Sequence, residues 1–207
     1  MAVESKNLSW LKRLIIGVVS AGALFVLVTA PYWKTQVNYL LQKNAVDKSD
    51  TADTKIPETQ QKTAPDRIII ERLKIEAPII YVAEENEEVF QKALQDGAVH
   101  YPRTAEVGQR GNAYIFGHSS DYIWSSGNYK NVFELLPKIN IGDEITVTDH
   151  DGRKFAYRVF ETKVVKPSEV GVLNDQLTPR KLLTLQTSYP LGTALRRFIV
   201  VAELIEK

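Results

Sequence analysis

The run LLTLQT at residues 182–187 leads directly into Ser188 and a Tyr-Pro turn. Short apolar and β-branched runs bounded by turn signals are typical of a buried β-strand and are too short for an ordinary helix. Ser188 therefore stands where a strand meets a loop, and loops held by a rigid scaffold concentrate functional residues. A plainer role for such a serine is to satisfy the turn.

Strand patterns of the same kind lie on both sides of this run. Turn signals rich in Asn, Gly and Asp separate them, as at 140–143 and 150–153. About seven or eight short strands with little helix favour a closed or nearly closed β-barrel, so the predicted fold class is all-β. The predicted strands are 67–75, 79–82, 113–116, 144–148, 155–165, 182–187 and 198–204, and the predicted helices are 87–95 and 130–136.

An uncharged apolar run, LIIGVVSAGALFVLVTAPYW, occupies residues 14–33. About 20 such residues match a hydrocarbon core of about 30 Å, so the run predicts a transmembrane anchor. Lys12 and Arg13 precede it, which predicts a cytoplasmic N-terminus at 1–13 and an extracellular remainder. The alternatives are a signal peptide cleaved near 28–30 and a buried core helix. The run is longer than the ~7–15 residues of a signal core and is apolar on every face.

Residues 34–65 are rich in Thr, Gln, Asp and Lys and have few large apolar side chains after Leu41. Such a composition cannot bury a core, so this segment is predicted to be a flexible extracellular linker. A coil of about 30 residues has an end-to-end distance on the order of 30 Å, which would keep the domain near the membrane. The globular domain is predicted to comprise residues 66–207.

The composition excludes several classes of function. Lys and Arg number 26 and Asp and Glu number 25, so the chain lacks the excess positive charge that a nucleic-acid partner requires. The sequence contains no cysteine, which excludes disulfides, thiol chemistry and cysteine zinc sites. We find no glycine-rich phosphate loop and no convincing metal-ligand spacing, and we expect no cofactor.

Three histidines are candidates for acid–base chemistry. His118 follows the apolar strand 113–116 and emerges at its end, which makes it the strongest candidate. His150 lies in a charged turn and is interpreted as a solvated turn residue. His100 lies in an apolar stretch and is interpreted as a satisfied, partly buried side chain, with a supporting role behind the site as the alternative.

These strand ends together resemble the signature of the sortase family. The sequence TLQTS at 184–188 resembles the family's TLxTC motif with serine in the last place. The sequence GNAYIFGHS at 111–119 resembles the segment that carries the essential histidine, and RFIV at 197–200 resembles the arginine that begins the last strand. The stretches GAVHYP at 97–102 and IGDEI at 141–145 are also similar to family sequences.

The resemblance implies an eight-stranded β-barrel that cuts an LPXTG-like sorting signal between Thr and Gly and passes the acyl group to an amine. It assigns catalysis to His118, Arg197 and the residue at position 188. The imidazolium would favour a thiolate and protonate the leaving amine, and the arginine would face the developing oxyanion. Arg196 is the competing arginine, and the plainer role of both arginines is that of charges at a sheet edge. The residues predicted to line the substrate site are Thr184, Leu185, Gln186, Thr187 and Arg196.

The resemblance also implies the partners and the location. The partners would be LPXTG-like sorting peptides of surface proteins and an amine acceptor such as a peptidoglycan cross-bridge, at a Gram-positive cell membrane with the domain outside. Ala64-Pro65-Asp66 stands where lid-bearing pilin polymerases usually have an aspartate-proline-aromatic sequence, which disfavours that subclass. Some family members bind calcium, but the acidic residues at 84–88 are better explained as a helix start.

Ser188 departs from the family pattern, because a serine hydroxyl stays protonated near neutral pH whereas a thiol ionises with a pKa of about 8.5. A serine mechanism normally needs a third group to orient the histidine, and Asp121 is only near in sequence. We interpret Ser188 as an engineered Cys-to-Ser replacement that leaves the chain able to bind sorting signals. The alternatives are a natural pseudo-sortase and a serine acyltransferase or hydrolase that uses Ser188 and His118.

Overall fold

The computed structural model describes residues 64–120, 127–169 and 178–206, together with positions 16, 18–20, 36, 37 and 40. The chain divides into two compact units, Met1–Glu58 and Thr59–Lys207. The described positions of the first unit are helical. Among the described positions, no helix is both long enough and apolar enough to cross a membrane. The anchor predicted at 14–33 and the linker predicted at 34–65 lie almost wholly outside the described residues and stay predictions.

Within the described residues, eight strands close into a barrel. They are β1 (Arg67–Ile70), β2 (Ile75–Tyr81), β3 (Ala98–His100), β4 (Gly111–Phe116), β5 (Glu144–Thr148), β6 (Lys154–Val165), β7 (Lys181–Tyr189) and β8 (Arg196–Leu204). Their order around the barrel is β1-β2-β3-β4-β7-β8-β6-β5. The pairs β2–β3 and β4–β7 are parallel, and the other neighbouring pairs are antiparallel.

The barrel interior is filled by alternate side chains of the strands, as the two-residue period of a β-strand requires. In β1, β5 and β7 the fully buried pairs are Ile68 and Ile70, Ile145 and Val147, and Leu183 and Leu185. Burying each side chain of this size stabilises the fold by about 1.5–3 kcal/mol. The strand ends are therefore held by a packed core.

The structure confirms the predicted all-β barrel but differs from several of the predicted elements, and the strand predicted at 79–82 begins earlier, at Ile75. The strand predicted at 67–75 is interrupted by a 3-10 turn, Glu71–Leu73, and Lys74 then adopts a left-handed conformation with φ of 53°. β3 was not predicted, because three residues are too few to show a period. The helix predicted at 130–136 is instead a series of turns that ends in the 3-10 helix Leu136–Lys138, in which a proline removes a backbone donor.

The remaining helix, α1, spans Glu87–Ala93 and ends two residues before its predicted limit of 95. The side chain of Asn86 caps it by accepting hydrogen bonds from the amides of Glu88 and Val89. The acidic residues Glu87 and Glu88 lie in its first turn, where the helix dipole favours negative charge. The predicted helix start is therefore confirmed.

Candidate active site

The parallel strands β4 and β7 bring His118 and Ser188 to the same end of the barrel. Phe116 pairs with Gln186, and the amide of Gly117 donates to the carbonyl of Gln186 at 3.1 Å. His118 lies two residues after Phe116, just beyond the end of β4, and Ser188 lies two residues after Gln186 within β7. Both side chains are half-buried. The histidine and the serine thus emerge next to each other.

The antiparallel pairing of β7 with β8 adds an arginine to this end. Ser188 lies directly opposite Arg197, and Tyr189 lies opposite Arg196. Residues that lie directly opposite each other project to the same face of a sheet. Arg197 therefore shares the face of Ser188, whereas Arg196 projects to the other face. Arg197 is half-buried, whereas Arg196 is exposed. The geometry favours Arg197 as the arginine of the site.

The guanidinium of Arg197 has no carboxylate partner in the part of the chain that the structure describes. Its Nη1 donates to the carbonyl oxygens of Ala194 and Arg196 at 3.0 and 3.1 Å. Arg180, by contrast, contacts the carboxylate of Glu203 at 2.7 Å. A guanidinium that no carboxylate neutralises can stabilise an oxygen on which negative charge develops.

The loop that follows β4 is held by two other segments. A Cβ atom on Gly117 would lie 2.8 Å from the ring of Phe133, so only glycine allows this approach. The amide of Phe133 donates to the carbonyl of His118 at 2.9 Å, and the amide of Gly192 donates to Oγ of Ser120 at 3.2 Å. These contacts fix the backbone around the histidine and attach it to the β7–β8 loop.

Two buried hydroxyls fix the register between β4 and β7. Thr184 donates to Oδ1 of Asn112 at 2.9 Å, and Thr187 donates to the carbonyl of Gly117, also at 2.9 Å. Buried polar groups with such partners contribute about 1 kcal/mol each and would be costly to leave unpaired. The threonines of the TLQTS motif therefore hold the strand that carries Ser188 against the strand that leads to the histidine.

The residues predicted to line the substrate site fall into two groups. The side chains of Thr184, Leu185 and Thr187 are at most 1% exposed, which places them in the barrel wall and away from the surface of a groove. Gln186 is half-buried and Arg196 is exposed, so both reach the surface. A motif marks these five positions in the sequence, but their burial in the folded domain decides which of them can meet a ligand.

A family model described as the sortase domain matches residues 68–205. The chain belongs to the sortase family. It is similar to the structure of a Clostridium perfringens sortase D5 transpeptidase, with 29% identity and a TM-score of 0.55 over 68% of this chain and 78% of that one. It is also similar to a lid mutant of Streptococcus agalactiae sortase C1, with 25% identity and a TM-score of 0.55 over 68% and 69% of the two chains. Listeria monocytogenes sortase A shares the fold at 23% identity, with a TM-score of 0.55 over 68% and 86%.

No curated protein matches the chain. The family membership, together with the eight-stranded barrel, shows that the chain has the fold of the sortase transpeptidases. The residues discussed above stand at the positions where the sequence resemblance places the family's nucleophile, histidine and arginine.

The other two histidines of this sortase domain both pack against Tyr81, away from β7. His100 is buried, its Nε2 lies 2.9 Å from the carbonyl oxygen of Ala105, and burial lowers its pKa, which confirms its interpretation as a satisfied side chain. His150 lies in the β5–β6 turn with its side chain 59% exposed, which confirms its interpretation as a solvated turn residue. Its Nδ1 also lies 2.7 Å from Oδ1 of Asp66, and its ring centroid lies 4.6 Å from that of Tyr81. The sequence analysis did not predict the contact with Asp66, which forms because the segment before β1 folds onto the β5–β6 turn.

The immediate surroundings of His118 contain a second serine. Ser119 is buried, and its hydroxyl has no hydrogen-bond partner among the described residues. Asp121, the acidic residue that the sequence offers as a third group for a serine mechanism, lies outside the described residues. Residues 64–120, 127–169 and 178–206 contain no group of three or more His, Cys, Asp or Glu that could hold a metal ion.

Tyr114 is a member of this face that the sequence analysis missed. It lies on β4 four residues before His118, is 3% exposed, and donates its hydroxyl hydrogen to Oε1 of Gln186. Burial raises the pKa of Tyr114, and the nearby charge of Arg197 acts in the opposite direction. The two-residue alternation through 114, 116 and 118 was the signal that could have identified it.

Proposed function

We propose that this sortase cleaves an LPXTG-like sorting signal between Thr and Gly and transfers the acyl group to an amine, with residue 188 as the position of the nucleophile. The observation that supports this most directly is the meeting of Ser188, His118 and Arg197 at adjacent strand ends of a sortase barrel. A nucleophile, a proton donor and a cation are the groups that acyl transfer requires.

With cysteine at position 188, the thiolate attacks the scissile carbonyl carbon, and the electron pair of the C=O bond moves onto the oxygen. The guanidinium of Arg197 stabilises this oxyanion. His118, as an imidazolium, gives its proton to the leaving amine when the C–N bond breaks, and a thioester remains. An incoming amine then attacks the thioester and gives a proton to the neutral imidazole, which restores the thiolate and forms the new amide.

Ser188 makes the chain a poor catalyst of this reaction. A thiol with a pKa of about 8.5 is brought to its thiolate by a neighbouring cation, whereas a serine needs a base to remove its proton. Our proposal is that Ser188 replaces the natural cysteine by engineering, and that the chain still binds sorting signals. A natural pseudo-sortase and a serine acyltransferase that uses His118 as base are the two outcomes that experiment must separate from it.

The proposed location is the outer face of a cell membrane, and it is supported by the apolar run at 14–33 with its basic flank. The donors would be sorting peptides of surface proteins, and the acceptor an amine such as a peptidoglycan cross-bridge. Protease added to intact protoplasts should remove the domain by cutting in the polar segment 43–65. Complete protection of the domain would contradict this orientation.

Cleavage of a fluorogenic LPXTG peptide tests the proposed chemistry. The Ser188→Cys variant should release the C-terminal fragment, and the parent protein should show little or no turnover. Ser120→Cys is the matched control, because it places a thiol on the loop that follows His118 and not at the strand position opposite Arg197. Equal activity of both cysteine variants would show that residue 188 is not the position of the nucleophile.

A further inference from the structure

Tyr114 and Gln186 form a polar bridge between the two strands that lead to His118 and Ser188. The hydroxyl of Tyr114 donates to the side-chain oxygen Oε1 of Gln186. Tyr114 is buried against the barrel, whereas Gln186 is half-buried and reaches the surface. The bridge therefore joins a fixed, buried donor to an amide group that a bound peptide can contact.

The bridge lies on the same face as the candidate active site. Gln186 precedes Ser188 by two residues, and strand side chains two apart point in the same direction about 6.6 Å from each other. An extended peptide advances by the same distance per two residues. A peptide that lies along β7 with its scissile bond at Ser188 would therefore pass over Gln186.

The hydrogen bond fixes Oε1 of Gln186 toward Tyr114 and leaves the Nε2 end for another partner. A tyrosine hydroxyl has one hydrogen, and this hydrogen is given to Oε1, so the Nε2 group with its two donors points elsewhere. Within the described residues, no hydrogen bond joins Nε2 of Gln186 to another protein group.

We propose that Gln186 binds the sorting peptide by donating an Nε2 hydrogen to a backbone carbonyl oxygen of the peptide, and that Tyr114 is the positioning residue that holds Gln186 in this orientation. The inference rests on the proposed function and adds a peptide contact to it. Because a backbone carbonyl is present in every peptide, this contact would fix how the peptide sits along β7 without selecting its side chains.

The test uses steady-state cleavage of an LPXTG peptide in the Ser188→Cys background. Gln186→Met keeps the length of the side chain and removes the donor. It should raise KM about fivefold and leave kcat unchanged, because a neutral hydrogen bond made equally in the ground state and the transition state is lost. Tyr114→Phe removes only the hydroxyl and should raise KM by a smaller factor, of about two to three, since the amide is then free to rotate.

Two comparisons separate positioning from a general loss of packing. Tyr157→Phe is the matched control, because this fully buried tyrosine hydroxyl accepts from the amide of Gly108 at 2.7 Å toward the other end of the barrel, and its loss should leave KM unchanged. The double variant Tyr114→Phe/Gln186→Met should have the KM of Gln186→Met alone, because Tyr114 acts through Gln186.

The outcomes distinguish this inference from the proposed function. An active Ser188→Cys enzyme whose KM is unaffected by Gln186→Met overturns the peptide contact alone. Additive effects of the two substitutions overturn the positioning role of Tyr114. A folded Ser188→Cys protein that neither binds nor cleaves sorting peptides overturns both proposals. If Tyr114→Phe does not fold, the surface-reaching Gln186→Met variant still decides the peptide contact.

Discussion

The two ends of the barrel both collect polar and titratable side chains, but their charges are paired differently. Where β4, β7 and β8 meet, Arg197 stands opposite Ser188 without a carboxylate partner among the described residues. At the other end, His150 contacts Asp66 at 2.7 Å beside a cavity of about 410 Å³. The cavity thus lies where the charges already have partners. A cation without a counter-ion at adjacent strand ends indicates the candidate active site better than an open volume does.

The largest expected difference between the two ends concerns their histidines. In the Ser188→Cys enzyme, His118→Ala should lower kcat by about 10²–10⁴-fold, because the proton donor for the leaving amine is lost. His150→Ala, at the other end, should leave kcat within about twofold, as is usual for substitutions away from the site. Peptide cleavage assays measure both values. Comparable losses would mean that the His150 end takes part in the reaction.

The second largest difference in kcat is expected between substitutions of the two arginines at the start of β8. Arg197→Ala should reduce kcat of the Ser188→Cys enzyme by about 10²–10³-fold, because a group that stabilises the oxyanion is removed. Arg196→Ala should have a smaller effect, since its pairing partner is Tyr189 and its side chain is exposed. The reverse order of effects would exchange the roles of the two arginines.

A pair of buried threonines allows the two ends to be compared by the same substitution. Thr187→Val removes the bond to the carbonyl of Gly117 and should lower both the free energy of unfolding, by about 1–3 kcal/mol, and peptide turnover. Thr187→Ser keeps the hydroxyl and should recover most of both. Thr148 is equally buried, accepts from the amide of Arg67 and donates to the carbonyl of Ala64.

Thr148→Val removes two hydrogen bonds and should therefore destabilise the domain at least as much as Thr187→Val in urea unfolding. Turnover of the Ser188→Cys enzyme should stay unchanged under conditions in which the variant is folded. A loss of turnover that merely follows stability in both variants would show that Thr187 has no special relation to the site.

The smallest expected effect is a pH-dependent stability at the His150 end. The contact with Asp66 raises the pKa of His150 above its ordinary 6.5, and the charge of Glu106 adds to this. Because the pKa of His150 is higher in the folded than in the unfolded state, the charged imidazole stabilises the fold fully at pH values below the unfolded-state pKa. This stabilisation is lost as the pH rises through the folded-state pKa. His150→Gln should therefore destabilise the domain slightly below about pH 6.5, and the difference from the parent should vanish at higher pH.

Measuring the difference between parent and His150→Gln is necessary because burial lowers the pKa of His100, which gives a contribution of opposite sign in both proteins, and the charge of His150 adds a smaller part to that lowering. Since the side chain of His150 is 59% exposed, solvent screening keeps the effect small. Urea unfolding at a series of pH values provides the measurement. A difference that does not change with pH would contradict a charged contact with Asp66.

The sequence was sufficient for the features that depend on local pattern. Strands such as β5 and β7 were visible because their apolar residues alternate or cluster over enough positions between turn signals. Ser188, His118 and Arg197 were identified because each stands at the end of such a strand and belongs to a family motif. β3 was missed because a strand of three residues gives no measurable period.

Features that depend on distant pairing could not be predicted. The hydrogen bonds of Thr184 to Asn112 and of Thr187 to Gly117 join residues about 70 positions apart in the sequence. Only the parallel pairing of β4 with β7 reveals that these threonines are buried between the two strands. The Tyr114–Gln186 bridge and the contact of His150 with Asp66 arise in the same way. A sequence motif identifies the positions of interest, but the register of the sheet determines which side chains contact each other.

Intact mass measurement of the Ser188→Cys protein with an LPXTG peptide is the most direct test of the claim that this end of the barrel is a sortase site complete except for its nucleophile. The account predicts a covalent adduct with the mass of the N-terminal acyl fragment, which hydroxylamine removes, and no adduct on the parent protein. A folded Ser188→Cys protein that forms no adduct with a broad panel of sorting peptides would contradict the account. An adduct on the parent Ser188 protein would also contradict it and would identify a serine acyltransferase instead.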